Sequence, residues 1–265
     1  MHHHEIYFLA SRFSLRWFTT TIEEALCGHA TLASSHVLFN EIGNTNDEIY
    51  FETLSGELIV QKSTTQDGVV SMNFPQFTEM YDIELSNKQS FGTKFPALEN
   101  PRHFVELANE IGPYKKLTYA PTLQELIMVL DSKMTRKDFI EINPSIDKLL
   151  EIQPINGNGE RSAIILTLAP ENPTKQGFVD SHGKPYDYAS RYITPWSGVD
   201  EDPATGSSQC TLAPFWAQML NKNGPFYAYQ GYPTRGAEFY LELLPEKRMN
   251  ITGKAFTFMK GTIQL

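Results

Sequence analysis

One short pattern occurs twice in this sequence, and it limits the possible folds more than any other feature. The run R-W-F-T at 16–19 is matched by R-Y-I-T at 191–194. Each run is rich in aromatic and β-branched residues, as strands are, and each leads through a loop into a stretch with helical spacing of apolar residues. The repetition predicts an internal duplication, and therefore a pseudo-twofold architecture.

An acidic pair and a glycine stand at matching positions in the two copies. Glu23-Glu24 precede Gly28 by five and four positions, and Glu201-Asp202 precede Gly206 at the same distances. In both copies the glycine lies where the loop turns into the helix, and a glycine there lets a ligand approach the backbone closely. Both glycines therefore stand where a bound ligand could touch the backbone.

The two predicted helix starts have the chemistry of an acid-binding site. The first N–H groups of a helix have no partners within it, and the helix dipole adds about half a positive charge there. Two starts that faced one cleft would hold a small carboxylic acid. The alternative is that Gly28 and Gly206 only begin buried helices, with His29 and Ser207 as ordinary capping residues.

Apolar periodicity predicts mixed α and β structure in both halves. The first half has predicted strands at 5–9, 13–18, 48–54, 57–62 and 68–74, and helices at 29–39 and 101–111. The second half has predicted strands at 115–119, 125–130, 163–168, 186–194, 226–229, 237–243 and 255–263, and helices at 145–150 and 206–220. We therefore expect one lobe at 1–112, completed by a C-terminal strand at about 254–265, and a second lobe at 113–253.

The charge balance argues against two classes of partner. The chain has 22 Lys and Arg against 31 Asp and Glu, a formal net charge of −9, so its long-range field repels nucleic acid and anionic membranes. No apolar run approaches the roughly 18 residues of a membrane span. Two cysteines among helix-like residues do not suggest a secreted disulfide framework. We expect a cytoplasmic protein, and we give the tract His2–His4 no role.

Five longer motifs stand along the chain: R-W-F-T…E-E-A-L-C-G-H-A-T-L-A (16–33), F-E-T-L-S-G-E-L (51–58), E-D-P-A-T-G-S-S (201–208), Q-G-Y-P-T-R-G-A-E (230–238) and I-T-G-K-A…K-G-T-I (251–263). They resemble those of the phenazine biosynthesis PhzF-like family, and especially of its animal phenazine biosynthesis-like domain proteins. The first and third are not generic patterns. The five motifs are spread from residue 16 to residue 263, so the resemblance covers nearly the whole chain.

The resemblance implies an α+β, diaminopimelate epimerase-like fold. In that fold two pseudo-symmetric lobes each wrap a barrel-like, mostly antiparallel sheet around a central helix. The implied activity is that of a cofactor-independent isomerase, which moves a proton between carbons of a small carboxylic acid by general acid/base catalysis. The resemblance also implies a homodimer.

The resemblance assigns the site as well. Glu5 matches the catalytic glutamate and would be the acid/base, while His29, Asp202 and Ser207 would orient the substrate and assist proton transfer. The implied substrate-binding residues are Gly28, Ala30, Gly206 and Ser208. Because an exposed glutamate has a pKa of about 4.3, Glu5 needs a pKa raised by burial or by an ionised Asp202 to donate protons near neutral pH.

The sequence also departs from the family pattern, which leaves a non-catalytic function open. Family members ordinarily carry a strand and a helix before the catalytic segment, including an N-P-x-A-V-like stretch that is missing here. A metabolite-binding or interaction protein of the same fold is therefore an alternative, with Glu5 as a solvated strand residue. Gln209 stands where related animal sequences often carry histidine, which bears on the substrate more than on the fold.

Two further chemistries are weaker expectations. A racemase of the same fold would use two thiols, but Thr205 stands where the second thiol belongs and Cys210 lies one helical turn further on. Cys27 would suit only the first role. No metal site is expected, because His29 and His36 are two helical turns apart. Glu23 competes with Glu5 as a carboxylate, and we expect it to be structural.

Overall fold

The computed structural model describes residues 9–19, 22–63, 68–83, 102–154 and 163–262. The predicted strand at 5–9 is described only at Leu9, and Glu5 and the tract His2–His4 lie outside the described residues.

The described chain alternates between strands and helices. The strands are β1 Arg12–Ser14, β2 Trp17–Phe18, β3 Glu23–Glu24, β4 Glu48–Thr53, β5 Gly56–Lys62, β6 Val69–Pro75, β7 Tyr81–Asp82, β8 Lys116–Ala120, β9 Glu125–Val129, β10 Ala163–Leu168, β11 Tyr188–Ile193, β12 Glu201–Asp202, β13 Phe226–Gln230, β14 Ala237–Leu244 and β15 Arg248–Lys254. The helices are α1 Gly28–His36, α2 Arg102–Ile111, α3 Arg136–Glu141, α4 Ile146–Ile152, α5 Pro173–Gln176 and α6 Gly206–Leu220. Helix α1 continues into a π-helical segment, Val37–Ile42, and a 3-10 turn covers Pro195–Ser197.

In the described part of the chain, one mixed sheet of 13 strands runs through both halves. Its order is β1-β4-β5-β6-β15-β14-β13-β11-β10-β9-β8-β7, with β12 paired to β11. Most neighbours are antiparallel, and β1–β4, β9–β10 and β11–β13 are parallel. Strand β15 joins the halves, because Ile251 pairs with Met72 of β6 on one side and Leu241 of β14 on the other. Strands β2 and β3 form a separate hairpin.

Two hydrophobic cores lie on opposite faces of the sheet in the second half. Strand β10 shows this by alternation, since Ile165 packs in the core that contains the central helices α1 and α6, while Ile164 and Leu166 pack in the core beneath α2, α3 and α4. The first is called the inner core here and the second the outer core. A strand buried on both faces reads as a continuous apolar run, which is why 163–168 is recognisable in the sequence.

Several predicted elements differ from the observed ones. The expected strand 13–18 is two short strands, because β1 pairs with β4 and β2 pairs with β3. The expected strand 255–263 is wrong in the described part: the last strand is Arg248–Lys254, and 255–262 is irregular. The short elements α3, α5, β3 and β12 were not predicted, because two to six residues carry little periodicity. The lobe boundary at 112 stays a prediction.

Candidate active site

The first residues of the two central helices are in direct contact. A Cβ atom on Gly28 would lie 2.6 Å from the Cα of Gly206, and a Cβ atom on Gly206 would lie 2.9 Å from the Cα of Gly28. Both neighbours are backbone atoms, which cannot move aside as a flexible side chain can, so only glycine fits at either position. The N-termini of α1 and α6 therefore meet at one point between the two halves.

Neither helix start is closed by a side chain. The N-cap residues are Cys27 and Thr205, both with extended backbone, and neither makes a side-chain capping hydrogen bond. The capping role considered for His29 and Ser207 is therefore wrong, since both lie inside the first turn. Two helix starts with open N–H groups point their positive ends at the same region, which suits a carboxylate.

Matching hairpins lead into the two helices. In the first, Arg16 holds Glu23 with two bonds, Nε to Oε1 and a terminal nitrogen to Oε2, each 2.8 Å long. In the second, Arg191 holds Glu201 through the same atoms at 2.7 and 2.8 Å. The hairpin registers agree as well, because Trp17 pairs with Glu24 as Tyr192 pairs with Asp202. Glu23 thus belongs to a structural ion pair, and the predicted duplication extends to individual atoms.

The loop before α6 is held in place by two polar side chains. Asp202 accepts hydrogen bonds from the hydroxyl of Thr205 (2.7 Å) and the amide of Ala204 (3.2 Å). The fully buried amide of Gln230 accepts from the Thr205 N–H (2.8 Å) and donates to the Asp202 carbonyl oxygen (2.6 Å). Asp202 is therefore fixed in orientation beside the helix start.

His29 of α1 reaches across to this loop from the first half. The Sγ atom of Cys27 lies 3.7 Å from Nδ1 of His29. This contact, with a smaller contribution from the negative charge of Asp202 and from the backbone of Ala204, raises the pKa of His29 to about 9, although partial burial opposes the shift. His29 is therefore an imidazolium at neutral pH. A cation beside two helix starts further favours an anionic ligand.

Ser207, in the first turn of α6, lines a cavity of about 200 Å³. The same cavity is lined by residues of both halves, including Glu24, Leu26, Gln124, Tyr192 and Thr194. The charge of Asp202 acts on His29, and Glu24 and Ser207 line one cavity, so each helix start lies near the acidic residue of the other half. By the internal duplication these are equivalent pairs.

The remaining predicted site residues are partly or fully buried. Ala30 is partly buried against the inner core. Ser208 is buried, and its hydroxyl donates to the Thr205 carbonyl oxygen (2.8 Å) and accepts from the amide of Gln209 (3.2 Å). Cys210 is fully buried, and burial raises the pKa of its thiol. A buried, protonated thiol cannot serve as the second base of a two-thiol racemase.

The sequence alone did not identify three residues at or near the site, which are Gln230, Tyr192 and Glu125. Gln230 stands in the family-like run at 230–238, but nothing in a single sequence shows that its side chain orders the loop before α6. Tyr192 is the counterpart of Trp17 in the repeat, which was a usable signal. Glu125 opens a strand that the sequence shows only as apolar.

Among the described residues, no group of three or more His, Cys, Asp or Glu side chains could hold a metal ion. No helix in the described part of the chain is long and apolar enough to cross a membrane.

Comparison with known sequences places the chain among phenazine biosynthesis-like proteins. The profile of the family described by that name matches residues 6–261. The human phenazine biosynthesis-like domain-containing protein is 34% identical over 258 residues, covering 96% of this chain and 78% of the human protein. An uncharacterised isomerase of Pseudomonas aeruginosa is 30% identical over 251 residues, covering 95% and 77% of the two chains.

Comparison with solved structures confirms the predicted fold class. A putative phenazine biosynthesis PhzC/PhzF protein from Clostridium difficile superposes with a TM-score of 0.66 at 30% identity, covering 95% of this chain and 78% of that one. A predicted epimerase from Pseudomonas aeruginosa, at 16% identity and a TM-score of 0.55, covers 94% and 80% and shows the shared fold alone.

Proposed function

This chain belongs to the phenazine biosynthesis-like protein family, and from that premise we propose that it is a cofactor-independent isomerase that moves a proton between carbons of a small carboxylic acid. The observation that carries the proposal is the contact between the starts of α1 and α6, which leaves two uncapped helix N-termini at one place. Such a site holds a carboxylate through backbone N–H groups.

The charges around the helix starts support binding and transfer. The imidazolium of His29 would stabilise the negative charge that develops when a proton leaves a carbon next to a carboxylate or carbonyl group. Asp202, fixed by Thr205 and Ala204, would keep the ring of His29 oriented. Ser207 would hydrogen-bond the substrate from the start of α6. These groups bind and orient, and none of them needs to be the base.

Glu5 is the proposed acid/base. It has this role by resemblance to the family, and its position lies outside the described residues. Closure of the site around the carboxyl group would raise its pKa by desolvation, which brings it nearer to the operating pH.

The test is proton exchange in deuterated water. The protein is incubated with a panel of small cyclic and amino carboxylic acids, and mass spectrometry measures deuterium gain at carbon. We expect at least one acid to gain deuterium, and we expect Glu5→Gln to abolish the gain while leaving the melting temperature unchanged. Exchange that survives Glu5→Gln but is lost in Cys27→Ser would contradict acid/base transfer by Glu5 and indicate thiol chemistry.

No exchange with any acid, together with no thermal stabilisation by any of them, would instead indicate a non-catalytic member of the family. The expected homodimer and the cytoplasmic location also stay predictions. Light scattering of the purified protein checks the first, and localisation of the tagged chain in its own cells checks the second.

A further inference from the structure

The inner core contains a carboxyl group where the strand pattern calls for an apolar residue. In β9, Glu125, Ile127 and Val129 share one face, and the latter two pack in the inner core. Glu125 is fully buried. A carboxyl group at such a position costs several kcal/mol in stability unless it is neutral or well paired.

The hydrogen bonds of Glu125 are unequal. Its Oε2 accepts from the hydroxyl of Thr211 on α6 at 2.6 Å, whereas no described residue makes a well-formed hydrogen bond to Oε1. Burial raises the pKa of Glu125 to about 7, with the hydroxyls of Thr211 and Tyr192 acting in the opposite direction. Because the Thr211 hydroxyl already bonds to Oε2, we place the proton of the neutral acid on Oε1.

Tyr192 connects this carboxyl group to the cavity beside Ser207. It lines the cavity, and its hydroxyl interacts with Glu125. Burial raises the pKa of Tyr192 well above its ordinary value, so the hydroxyl keeps its proton. Gln124 and Ala163, the chain and strand neighbours of Glu125, line the same cavity.

Helix α6 connects the two ends of this arrangement. Ser207, in the cavity wall, and Thr211, on the carboxyl group, are one helical turn apart and share a face of the helix. Three other ionisable groups are nearby. The charge of Glu125 contributes to the raised pKa of Cys210 on α6. The charges of Glu24 in β3 and Asp202 in β12 contribute to the raised pKa of Tyr192. Strands β8 and β10 place only Ala120 and Ala163 opposite Glu125.

We propose that Tyr192, positioned by the buried carboxyl group of Glu125, selects the ligand in the cavity beside Ser207 by donating its hydroxyl to a neutral oxygen of a small acid, such as a ketone. This inference rests on the proposed function for the place of the carboxylate, which lies at the two helix starts. When Glu125 donates its own proton to the Tyr192 oxygen, the tyrosine proton is directed away from Glu125 and can reach a ligand.

The surrounding charges restrict the ligand to a neutral group. The carboxylate of Glu24 in the cavity wall would repel a second carboxylate. The positive end of α6 at Ser207 disfavours an ammonium group. A carbonyl or hydroxyl oxygen avoids both penalties and accepts the hydrogen bond that Tyr192 offers.

Three matched probes test the inference by calorimetry on the full chain: cyclohexanecarboxylate, 3-oxocyclohexanecarboxylate and 3-aminocyclohexanecarboxylate. We expect the oxo acid to bind about five- to tenfold tighter than the unsubstituted acid at about pH 6, as one net hydrogen bond allows. At about pH 8.5 the ionised Glu125 instead accepts the tyrosine proton, so most of this preference disappears.

Variants separate positioning from simple structural effects. Tyr192→Phe should remove the preference at both pH values and leave binding of the unsubstituted acid unchanged. Glu125→Gln, which cannot ionise, should remove the pH dependence of the preference. Tyr188→Phe is the matched control, because Tyr188 lies on the same strand but gives its hydroxyl to Gln209 at 2.7 Å, and it should keep the wild-type preference and its pH dependence.

The inference is overturned if the oxo and unsubstituted acids bind equally at both pH values, if the amino acid binds best, if none of the probes binds, or if Tyr192→Phe keeps the preference. These outcomes are independent of the deuterium test. Exchange that depends on Glu5 without any oxo preference would overturn only the role of Tyr192, and the preference without exchange would overturn only the proposed catalysis.

Discussion

The two halves contain the same arginine–glutamate ion pair, which is exposed in the first half and buried in the second. Arg16 and Glu23 form their two-bond pair at the surface, with 65% and 26% of their side chains exposed, whereas Arg191 and Glu201 are 2% and 13% exposed. Arg191 also donates to the carbonyl oxygens of Phe139, Ile140 and Ile142. Identical geometry therefore does not imply identical energy: the first pair is screened by water, and the second orders a buried segment around it.

The largest expected effect is at these two arginines. Arg191→Ala leaves the Glu201 carboxylate and three carbonyl oxygens without their donor inside the protein, so we expect a loss of about 3–5 kcal/mol in the free energy of unfolding. Arg16→Ala removes an exposed pair that water screens, so it should cost far less than Arg191→Ala. Urea denaturation of the two variants measures the difference, and equal costs would refute the contrast between the halves.

At the contact between α1 and α6, equivalent substitutions in the two halves should cost the same stability. Gly28→Ala and Gly206→Ala each force a Cβ atom into the backbone of the other helix, and each should cost at least about 3 kcal/mol, at the upper end for overpacking. Gly261→Ala is the control, since no atom lies within 4 Å of its Cβ position. Thermal unfolding would contradict the contact if either central variant were as stable as the control.

The second half alone should show the pH signature of Glu125. Its folded pKa of about 7 exceeds its ordinary 4.5, so between these values the folded state holds the extra proton, and stability falls as pH rises through this window. The total loss is on the order of 3 kcal/mol. The difference in unfolding free energy between wild type and Glu125→Gln should therefore change across the window. A constant difference would show that the carboxyl group has an ordinary pKa.

The smallest effect concerns the first half alone. Cys27→Ser removes the contact that contributes most to the raised pKa of His29, so we expect this pKa to fall from about 9 toward the ordinary 6.5. NMR titration of the imidazole signals measures it, with His36 as an internal reference. A His29 pKa that stays near 9 in the variant would assign the shift to Asp202 and Ala204 instead.

The repeat in the sequence predicted the features that depend on local sequence, but not those that depend on how distant elements pack. The repeated R-W-F-T and the acidic pairs predicted two copies of one unit, because each position is set by local sequence. In the structure the two copies are hairpins with the same register, although the short strands β3 and β12 were not predicted. The direct contact of Gly28 with Gly206 depends on how two distant helices pack, and a single sequence does not contain that distance.

The site residues that the sequence did not identify also depend on contacts with distant parts of the chain. Strand 125–130 was predicted from its apolar run. The environment of Glu125, however, depends on its hydrogen bond with Thr211, which is 86 residues further along the chain. Gln230 similarly acts on a loop 25 residues before it. The expected strand at 255–263 was placed too late, because alternating apolar residues such as Phe256 and Phe258 are exposed, whereas Met249 and Ile251 are the ones that pack inward.

The central claim is that both helix starts together form one acid-binding site. NMR titration of isotope-labelled protein with cyclohexanecarboxylate tests it directly through the backbone amide signals of Gly28, His29, Gly206 and Ser207. We expect signals from both helix starts to move with one common dissociation constant. Movement at one helix start only, or at neither while the protein remains folded, would contradict it.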